Sequence, residues 1–171
     1  MVKLVNDICV IKEGFLTTTH AYTGDQNIHD APHKDLRRSR AAAQNIIPTT
    51  TGAAKAIGRI FPDLEGKIEG IGIRVPVIDG SMTDLICRVD NPVTTDVIRE
   101  AFKNLSNNEL KGVLAYTEDP IVSVDIIGNP NSCIIDGLLT TIVGNLVRVV
   151  GWYDNEVGYS NRLIDLVRKM G

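Results

Sequence analysis

The sequence is poor in the features that mark several classes of protein. It has three cysteines, widely separated and in no Cys-x-x-Cys pair, which argues against a disulfide framework or a zinc site. No apolar run approaches the roughly 20 residues of a membrane span, and the first ten residues carry an acid where a signal peptide is apolar. We therefore expect a cytoplasmic protein in which Cys9, Cys87 and Cys133 are buried small hydrophobic residues.

An excess of positive charge is also lacking. The formal net charge is -3 at pH 7, which gives no support to binding of nucleic acid or of an anionic membrane. No G-x-G-x-x-G fingerprint of a dinucleotide site occurs, and the nearest stretch, GIGIRV, fails at the last glycine. The 171 residues, 43 % hydrophobic and 23 % charged, suffice for one domain with a core, so we expect one domain over residues 1–171.

Hydrophobic periodicity predicts helices mixed with strands. Helices are expected over residues 2–9, in the run that ends at Pro62, over residues 91–105 with Val97, Ile98, Ala101, Phe102 and Leu105 inward, and at the end of the chain. Strands are expected in FLTTTH, in two runs between Ile68 and Asp90, and in GVLAYT, IVSVDII, SCIID and NLVRVVGWY. This pattern predicts an α+β fold, with a mixed, largely antiparallel sheet and helices covering one face.

One histidine is the main candidate for chemistry. His20 lies in TTTHAYTGDQ, where a run of hydroxyl side chains with strand character meets a glycine turn and an acid. An unperturbed imidazole titrates near pH ~6.5, so it can take and return a proton at neutral pH. On this stretch alone, a structural histidine bonded to its neighbours is the favoured interpretation, and catalysis is the alternative.

Two further stretches have the residues of an anion site. Arg37, Arg38 and Arg40 lie in a long polar loop, where guanidinium groups either grip phosphate in bidentate fashion or form surface ion pairs. Three threonines and Gly52 come directly before a helical run, whose first N–H groups either bind an anion or are capped by a threonine. Arg74 alternates with apolar strand residues, so it faces either solvent or a ligand.

A metal site must also be considered in the same loop. His29 and His33 lie four residues apart, with three aspartates nearby. Pro32 interrupts the helix that would place both imidazoles on one face. We expect a solvated loop and no metal.

Several stretches in fixed order resemble one family. TTTHAYTGDQ, HKDLRRSRAAAQNIIPTTTGAAKAIG, RVP and WYDNEVGYSNR are similar to the C-terminal catalytic domain of phosphorylating glyceraldehyde-3-phosphate dehydrogenases, over essentially all 171 residues. The resemblance implies a homotetrameric glycolytic oxidoreductase that converts glyceraldehyde 3-phosphate, NAD and inorganic phosphate to 1,3-bisphosphoglycerate and NADH. NAD is favoured as cofactor, and NADP stays open.

The resemblance also implies a role for each matching residue. His20 matches the base that activates a cysteine thiol and assists hydride transfer. The positions that hold or adjoin the substrate phosphate and the attacking phosphate are Thr23, Asp25, Arg38, Thr51, Gly52 and Arg74. Asn155 and Tyr159 match residues near the nicotinamide, where an Asn side chain can bond the carboxamide.

The departures from the family pattern limit what we expect of this chain. The nucleophile's Ser-Cys-Thr-Thr-Asn motif and the nucleotide-binding domain are not in the sequence, so we expect an incomplete cofactor site and an inactive isolated chain. Gly80 stands where the family usually has an apolar residue, for which the sequence offers no reason. Two alternatives remain: a non-catalytic module that binds anions or assembles with its copies, and an erythrose-4-phosphate dehydrogenase, against which the intact TTTGAAKA argues.

Overall fold

A seven-stranded mixed sheet organises the chain, which a computed structural model describes over residues 1–171. Four of its six strand pairings are antiparallel, so the predicted α+β class is confirmed. The strands are β1 (Ile11–Ala21), β2 (Ile47–Thr50), β3 (Ile68–Val75), β4 (Ser81–Val89), β5 (Leu114–Thr117), β6 (Cys133–Val143) and β7 (Leu146–Tyr153). The helices are α1 (Val2–Cys9), α2 (Ala53–Ile60), α3 (Thr95–Asn107) and α4 (Val157–Met170).

The strand order is β2-β3-β1-β4-β7-β6-β5, which places β1 inside the sheet. β1 runs parallel to β3, with His20 opposite Arg74, and antiparallel to β4, with Leu16 opposite Leu85. Side chains alternate between the two faces of a strand, so Leu16, Thr18 and His20 share one face. The other face carries Phe15, Thr17 and Thr19, while a register irregularity between Ile11 and Glu13 leaves Ile11 in the buried core.

The helices cover the face to which Leu16 points. Leu16, Leu85 and Val149 from three strands belong to one buried cluster with Val5 of α1 and Phe102 of α3. Ala53 and Ile57 of α2 pack against the same cluster, which confirms that helices cover one face of the sheet. This apolar burial is the main stabilising term of the fold.

The ends of α1 and α3 agree with the sequence-based predictions, whereas the buried face of α3 agrees only in part. α1 has no side-chain cap at Met1, as the sequence predicts, whereas the hydroxyl of Thr94 accepts a hydrogen bond from Val97 N at 3.3 Å and caps α3. Ile98 and Phe102 are buried, but the prediction that Val97 points inward is wrong, because half of it is exposed. Val97 lies at the border of the apolar stripe of α3, where the helical period of hydrophobic residues does not determine whether a side chain is buried.

The prediction of a strand in IVSVDII is also wrong. Ser123–Ile126 form a 3₁₀ helix, and the carboxylate of Asp125 accepts a hydrogen bond from Val122 N at 2.7 Å. Such a local side-chain bond offers the backbone an alternative to a sheet ladder. The same turn explains Gly80, whose φ is +87° and where an added Cβ would lie 2.4 Å from the carbonyl oxygen of Ser123.

Apolar side chains remain exposed on two surfaces. On the sheet face opposite the helices, Phe15 lies directly across from Ile86, with Ile71 nearby, and all three are exposed. α4 contributes nothing to the buried cluster, and its residues Leu163 and Val167 are exposed as well. None of the four helices has the length and apolar content needed to cross a bilayer.

Candidate functional site

A cavity of about 530 Å³ opens where the helices leave the inner face of the sheet uncovered. It gathers strand residues, the start of α2 and the long loop after β1 into one polar space. Five of the predicted site residues border it: His20, Arg38, Thr51, Gly52 and Arg74. The remaining lining residues are Thr18, Thr50, Ala53, Thr83, Ser132 and Tyr153.

His20 is the second-last residue of β1, so the predicted position near a strand end is confirmed. Its ring meets that of Tyr153 edge to face, with centroids 6.1 Å apart and planes at 72°. Its Nδ1 lies 2.7 Å from the carbonyl oxygen of Ala21 and 2.6 Å from Nη1 of Arg74. Nε2 has no hydrogen-bond partner in the chain, so one ring nitrogen is available to the cavity.

The surroundings of His20 favour the neutral imidazole. Burial lowers the pKa of His20, and the charge of Arg74 lowers it further. The hydrogen bond to Ala21 and the carboxylates of Glu156 and Asp25 raise that pKa, but by less in sum. At neutral pH the ring is therefore uncharged and can accept a proton.

The sequence leaves open whether Arg74 faces solvent or a ligand site. Its side chain lines the cavity, which favours the ligand site. It lies opposite His20 in the parallel β1–β3 pair, and its Nη1 also donates to the carbonyl oxygen of Ala21 at 3.0 Å. The apolar partners in the alternation, Ile71 and Ile73, point to the opposite face of the sheet. Arg74 is half-buried, so its charge acts in a partly dehydrated space.

Arg38 is held beside the cavity by side chains from β2 and from the loop after β1. Its Nε donates to the hydroxyl of Thr49 at 2.7 Å, and its Nη1 donates to the carboxylate of Asp25. Asp25 also accepts a hydrogen bond from the hydroxyl of Thr23 at 2.5 Å. That bond, with the charge of Arg38, lowers the pKa of Asp25. Thr23 and Asp25 thus adjoin the cavity through Arg38 without lining it.

The three loop arginines have different environments. Arg40 forms an exposed ion pair with Asp30, 2.8 Å from Nε to the carboxylate, as the surface alternative predicts. The side chain of Arg37 is exposed and makes no ion pair. Only Arg38 borders the cavity, so the loop contributes a single cation to it.

No threonine caps α2, because its N-cap is Gly52 and no side chain makes a cap hydrogen bond there. The hydroxyl of Thr51, the residue before the cap, accepts a hydrogen bond from Ala53 N at 3.2 Å, which closes a local turn. Gly52 and Ala53 nevertheless border the cavity, and no heavy atom lies within 4 Å of a Cβ built on Gly52. The backbone at this turn is therefore open to a ligand beside the two arginines.

The two residues predicted to lie near a nicotinamide have unequal positions. Asn155 Oδ1 accepts a hydrogen bond from the hydroxyl of Ser81 at 2.5 Å, and that hydroxyl in turn accepts from Ala21 N at 3.2 Å. The side-chain amide N–H groups of Asn155 make no bond in the chain, so they fit the oxygen of a carboxamide. Tyr159 is 68 % exposed on α4, and neither Asn155 nor Tyr159 lines the cavity.

Sequence reasoning missed part of the lining. Thr18 lies two residues before His20 in β1, and its hydroxyl is 3.3 Å from that of Thr83 across the β1–β4 pair. Strand alternation gives a signal for Thr18, since residues two apart share a face. Ser132 and Tyr153 reach the cavity from distant parts of the chain, and no local pattern points to them.

No cysteine lines the cavity. Cys9 and Cys87 are buried, as the sequence predicts, while Cys133 is half-buried, and none forms a disulfide. Burial raises the pKa of Cys87 to about 12, which suppresses its thiolate. No cluster of three or more His, Cys, Asp or Glu side chains is arranged to hold a metal ion, at His29 and His33 or elsewhere.

Comparison with known proteins gives one consistent result. The sequence model of the family described as glyceraldehyde 3-phosphate dehydrogenase, C-terminal domain, matches residues 1–155. The chain is 56 % identical over 172 residues to glyceraldehyde-3-phosphate dehydrogenase 2 of Streptomyces avermitilis, covering 100 % of this chain and 51 % of the relative. It is 53 % identical over 171 residues to glyceraldehyde-3-phosphate dehydrogenase of Mycobacterium avium, covering 100 % and 50 %. The chain thus spans about half the length of the curated relatives that it matches.

Proposed function

Because this chain belongs to the glyceraldehyde 3-phosphate dehydrogenase C-terminal domain family, we propose that it supplies the acid–base group and the phosphate grips of a phosphorylating aldehyde dehydrogenase. The reaction would convert glyceraldehyde 3-phosphate and inorganic phosphate to 1,3-bisphosphoglycerate. The observation that carries the proposal is the meeting of His20, Arg38 and Arg74 in one cavity of about 530 Å³. A neutral imidazole beside two guanidinium groups suits proton transfer on a substrate held by its phosphates.

His20 acts as the base in this proposal. Its unprotonated ring accepts a proton from a thiol, and the resulting imidazolium stabilises the thiolate beside it. When the thiolate adds to the aldehyde carbon, the imidazolium returns its proton to the carbonyl oxygen, so the ring is neutral again. It then takes the proton of the hemithioacetal hydroxyl as a hydride leaves the same carbon. Bound NAD would supply the hydride acceptor, and the unpaired side-chain amide of Asn155 supports a role in holding its carboxamide. NAD is favoured as the cofactor, and NADP remains open.

The thiol nucleophile is none of the three cysteines of this chain. Cys9 and Cys87 are buried away from the cavity, and Cys133 does not line it either. We therefore expect the 171-residue chain, given glyceraldehyde 3-phosphate, NAD and phosphate, to form no NADH above background. A clear rate would contradict the assignment of the thiol to another part of the protein.

Anion binding provides a test that needs no turnover. Inorganic phosphate at millimolar concentration should raise the melting temperature, since a ligand of the folded state stabilises it. Arg38→Gln and Arg74→Gln should each reduce that increase strongly. Arg37→Gln, which removes an exposed arginine of the same loop, should leave it unchanged. An equal response in all four proteins would refute a preformed phosphate site.

The acid–base assignment is tested in the full-length protein. A Ser-Cys-Thr-Thr-Asn sequence in the gene upstream of Met1 would identify the thiol directly. In that protein, His20→Asn should lower kcat by about 10²- to 10⁴-fold, the usual contribution of a general base. A kcat unchanged by His20→Asn would exclude His20 as the base.

Self-assembly is a second candidate role, supported by the exposed apolar residues of the outer sheet face. Phe15 lies directly across from Ile86 there, Ile71 lies opposite Thr17 two residues further along β1, and Phe15 is 64 % exposed. A contiguous apolar patch on a sheet face is typical of a contact between protein subunits. The homotetramer expected for the whole protein would bury this patch.

A further inference from the structure

One buried hydroxyl joins the strand end that carries His20 to the side chain of Asn155. Ser81 is 1 % exposed and is the first residue of β4. Its Oγ accepts a hydrogen bond from the backbone N–H of Ala21, the residue after His20, at 3.2 Å. The same hydroxyl donates to Oδ1 of Asn155 at 2.5 Å. A serine hydroxyl has a single proton, so this arrangement uses it on Asn155.

The bond to Ala21 forms where the pairing of β1 with β4 stops. The last pair of that ladder is Thr19 opposite Met82, and β4 begins directly after Gly80, whose φ is +87°. Ala21 is fully buried, so its N–H needs a partner, and the side chain of Ser81 supplies one in place of the strand backbone. Ser81 is therefore fixed relative to the end of β1.

This hydroxyl also decides which atoms Asn155 presents outward. In the observed orientation Oδ1 faces Ser81, and the two N–H groups of Nδ2 have no partner in the chain. If the amide turned by 180°, Nδ2 would face Oγ, and the O–H of Ser81 would lose its acceptor in a site closed to water. The bond from Ser81 thus holds Oδ1 inward and directs Nδ2 outward.

The main chain around Asn155 is fixed independently of Ser81. Asp79 Oδ1 accepts a hydrogen bond from Asn155 N at 3.2 Å, and Asp154 Oδ1 accepts from the N–H groups of the next two residues at 2.8 and 2.7 Å. The only buried side-chain nitrogen or oxygen without a partner is Nε2 of Gln26, so Nδ2 of the half-buried Asn155 is open to solvent. Loss of the Ser81 hydroxyl would free the amide to rotate without displacing the main chain.

We propose that Ser81 is a positioning residue that fixes the Asn155 amide, and with it a nicotinamide carboxamide, relative to the strand end that carries His20. The inference rests on the proposed function in taking the ligand of Asn155 to be the nicotinamide. Nδ2 can only donate, so it matches the carboxamide oxygen. The proton and the hydride leave neighbouring atoms of one substrate, so their two acceptors must keep a fixed separation. The Ser81 hydroxyl, bonded beside His20 and to Asn155, provides such a link.

Tyr153 is the other possible acceptor for this hydroxyl. It lies opposite Ser81 in the β4–β7 pair. Burial raises the pKa of Tyr153, and the nearby hydroxyls of Ser81 and Thr83 oppose that rise in part. The hydrogen bonds of Ser81 Oγ are nevertheless those with Ala21 and Asn155. The two acceptors predict different effects on Asn155 when the hydroxyl is removed.

Nitrogen NMR of the Asn155 side chain tests the link in the 171-residue chain. Its Nδ2 signal is identified by its loss in Asn155→Ala. The heteronuclear ¹H–¹⁵N NOE of this group should match that of the rigid backbone in the wild type and be clearly lower in Ser81→Ala. Thr140→Val, which removes another buried hydroxyl that donates to the carbonyl oxygen of Asp136 at 2.8 Å, should leave it unchanged. An unchanged NOE in Ser81→Ala would mean that the hydroxyl donates to Tyr153 and would overturn the inference.

Cofactor affinity in the full-length protein tests the consequence. Ser81→Ala should weaken NAD binding about two- to ten-fold, the usual net effect of one hydrogen bond, while Thr140→Val should not. Combined with Asn155→Ala, Ser81→Ala should cause no further loss, since it acts through that side chain. Fluorescence titration measures the dissociation constants, and circular dichroism checks that each variant is folded. If Ser81→Ala does not fold, Ser81→Cys keeps the size of the side chain with a weaker donor and should show the same changes to a smaller degree.

Two outcomes of the titration contradict the inference, and a third contradicts the proposed function. Losses that add in the double variant would overturn the inference. NAD binding weakened by Asn155→Ala but unaffected by Ser81→Ala would overturn it as well. NAD binding unaffected by Asn155→Ala would instead refute the cofactor role proposed for Asn155, and the NOE comparison in the 171-residue chain would still decide whether Ser81 positions it.

Discussion

Arg38 and Asp25 form an ion pair beside the cavity, from Nη1 of the guanidinium to a carboxylate oxygen. The carboxylate is the charge that opposes an incoming anion, and it is 46 % exposed, so solvent screens it in part. Asp25→Asn should strengthen binding of inorganic phosphate by about two- to five-fold, the effect of one screened charge. Titration calorimetry measures it.

The control for this charge change is Glu13→Gln. Glu13 pairs with Arg88 at 2.8 Å, away from the cavity, so its neutralisation changes the net charge equally without changing the local field. Phosphate affinity should not change in this variant. An equal increase in phosphate affinity in both variants would show that only the net charge of the protein matters and that Asp25 does not adjoin the bound anion.

The lowered pKa of His20 predicts a loss of stability in mild acid. In the unfolded chain the imidazole takes up its proton near pH ~6.5, while in the folded chain its pKa is lower. As pH falls from 7.5 through the folded-state pKa, the unfolded state binds more protons and the free energy of unfolding decreases. Urea unfolding at a series of pH values measures this slope.

Two single substitutions isolate the contribution of His20 to that slope. His20→Gln should flatten the dependence between pH 7.5 and the folded-state pKa, whereas His29→Gln removes an exposed loop histidine and serves as the reference. A slope that is the same in wild type and His20→Gln would mean that burial does not disfavour the imidazolium.

Gly80 should tolerate no side chain. Its φ of +87° is strained for other residues, and an added Cβ would lie 2.4 Å from the carbonyl oxygen of Ser123. Gly112 has a similar φ of +80° but no atom within 4 Å of an added Cβ. Gly80→Ala should therefore lower the free energy of unfolding by about 1–3 kcal/mol more than Gly112→Ala, the cost of overpacking. Urea denaturation of both variants measures the difference. An equal decrease in the free energy of unfolding would mean that the turn at Ser123 shifts without cost to make room for the added methyl group.

The outer sheet face should mediate self-association. Replacing Phe15 by Ser removes the most exposed apolar side chain of the patch that it forms with Ile86 and Ile71. Sedimentation velocity should show a shift toward smaller species at equal concentration. Val124→Ser, at a residue that is 65 % exposed on the 3₁₀ helix after β5, should leave the distribution unchanged. Identical sedimentation of wild type and Phe15→Ser would exclude this face as the contact.

The sequence predicts the elements of this fold better than their pairing. Alternation in β1 and the cap of α3 are local effects, so they can be inferred from a few neighbouring residues. The parallel register that sets His20 opposite Arg74 depends on packing between distant segments, and no local pattern specifies it. The same limit applies to Tyr153, which enters the cavity only because β7 pairs with β4.

Resemblance to a family selects two arginines that the structure brings to one cavity, Arg38 and Arg74, but it does not predict their contacts. Arg38 and Arg40 have the same chemistry and nearly the same place in the sequence, yet one borders the cavity and the other pairs with Asp30 at the surface. The bond between Arg74 and His20 could not be inferred either, because it depends on side-chain conformations at two strand ends.

β1 carries the proposed base on one face and the proposed subunit contact on the other. His20 and Leu16 point to the cavity side, while Phe15 points outward, and neighbouring residues in a strand always face opposite ways. Deleting or inserting one residue between Phe15 and His20 would keep one of them in register only by turning the other to the wrong face. A change of one residue in this segment therefore needs a β-bulge to keep both side chains on their own faces.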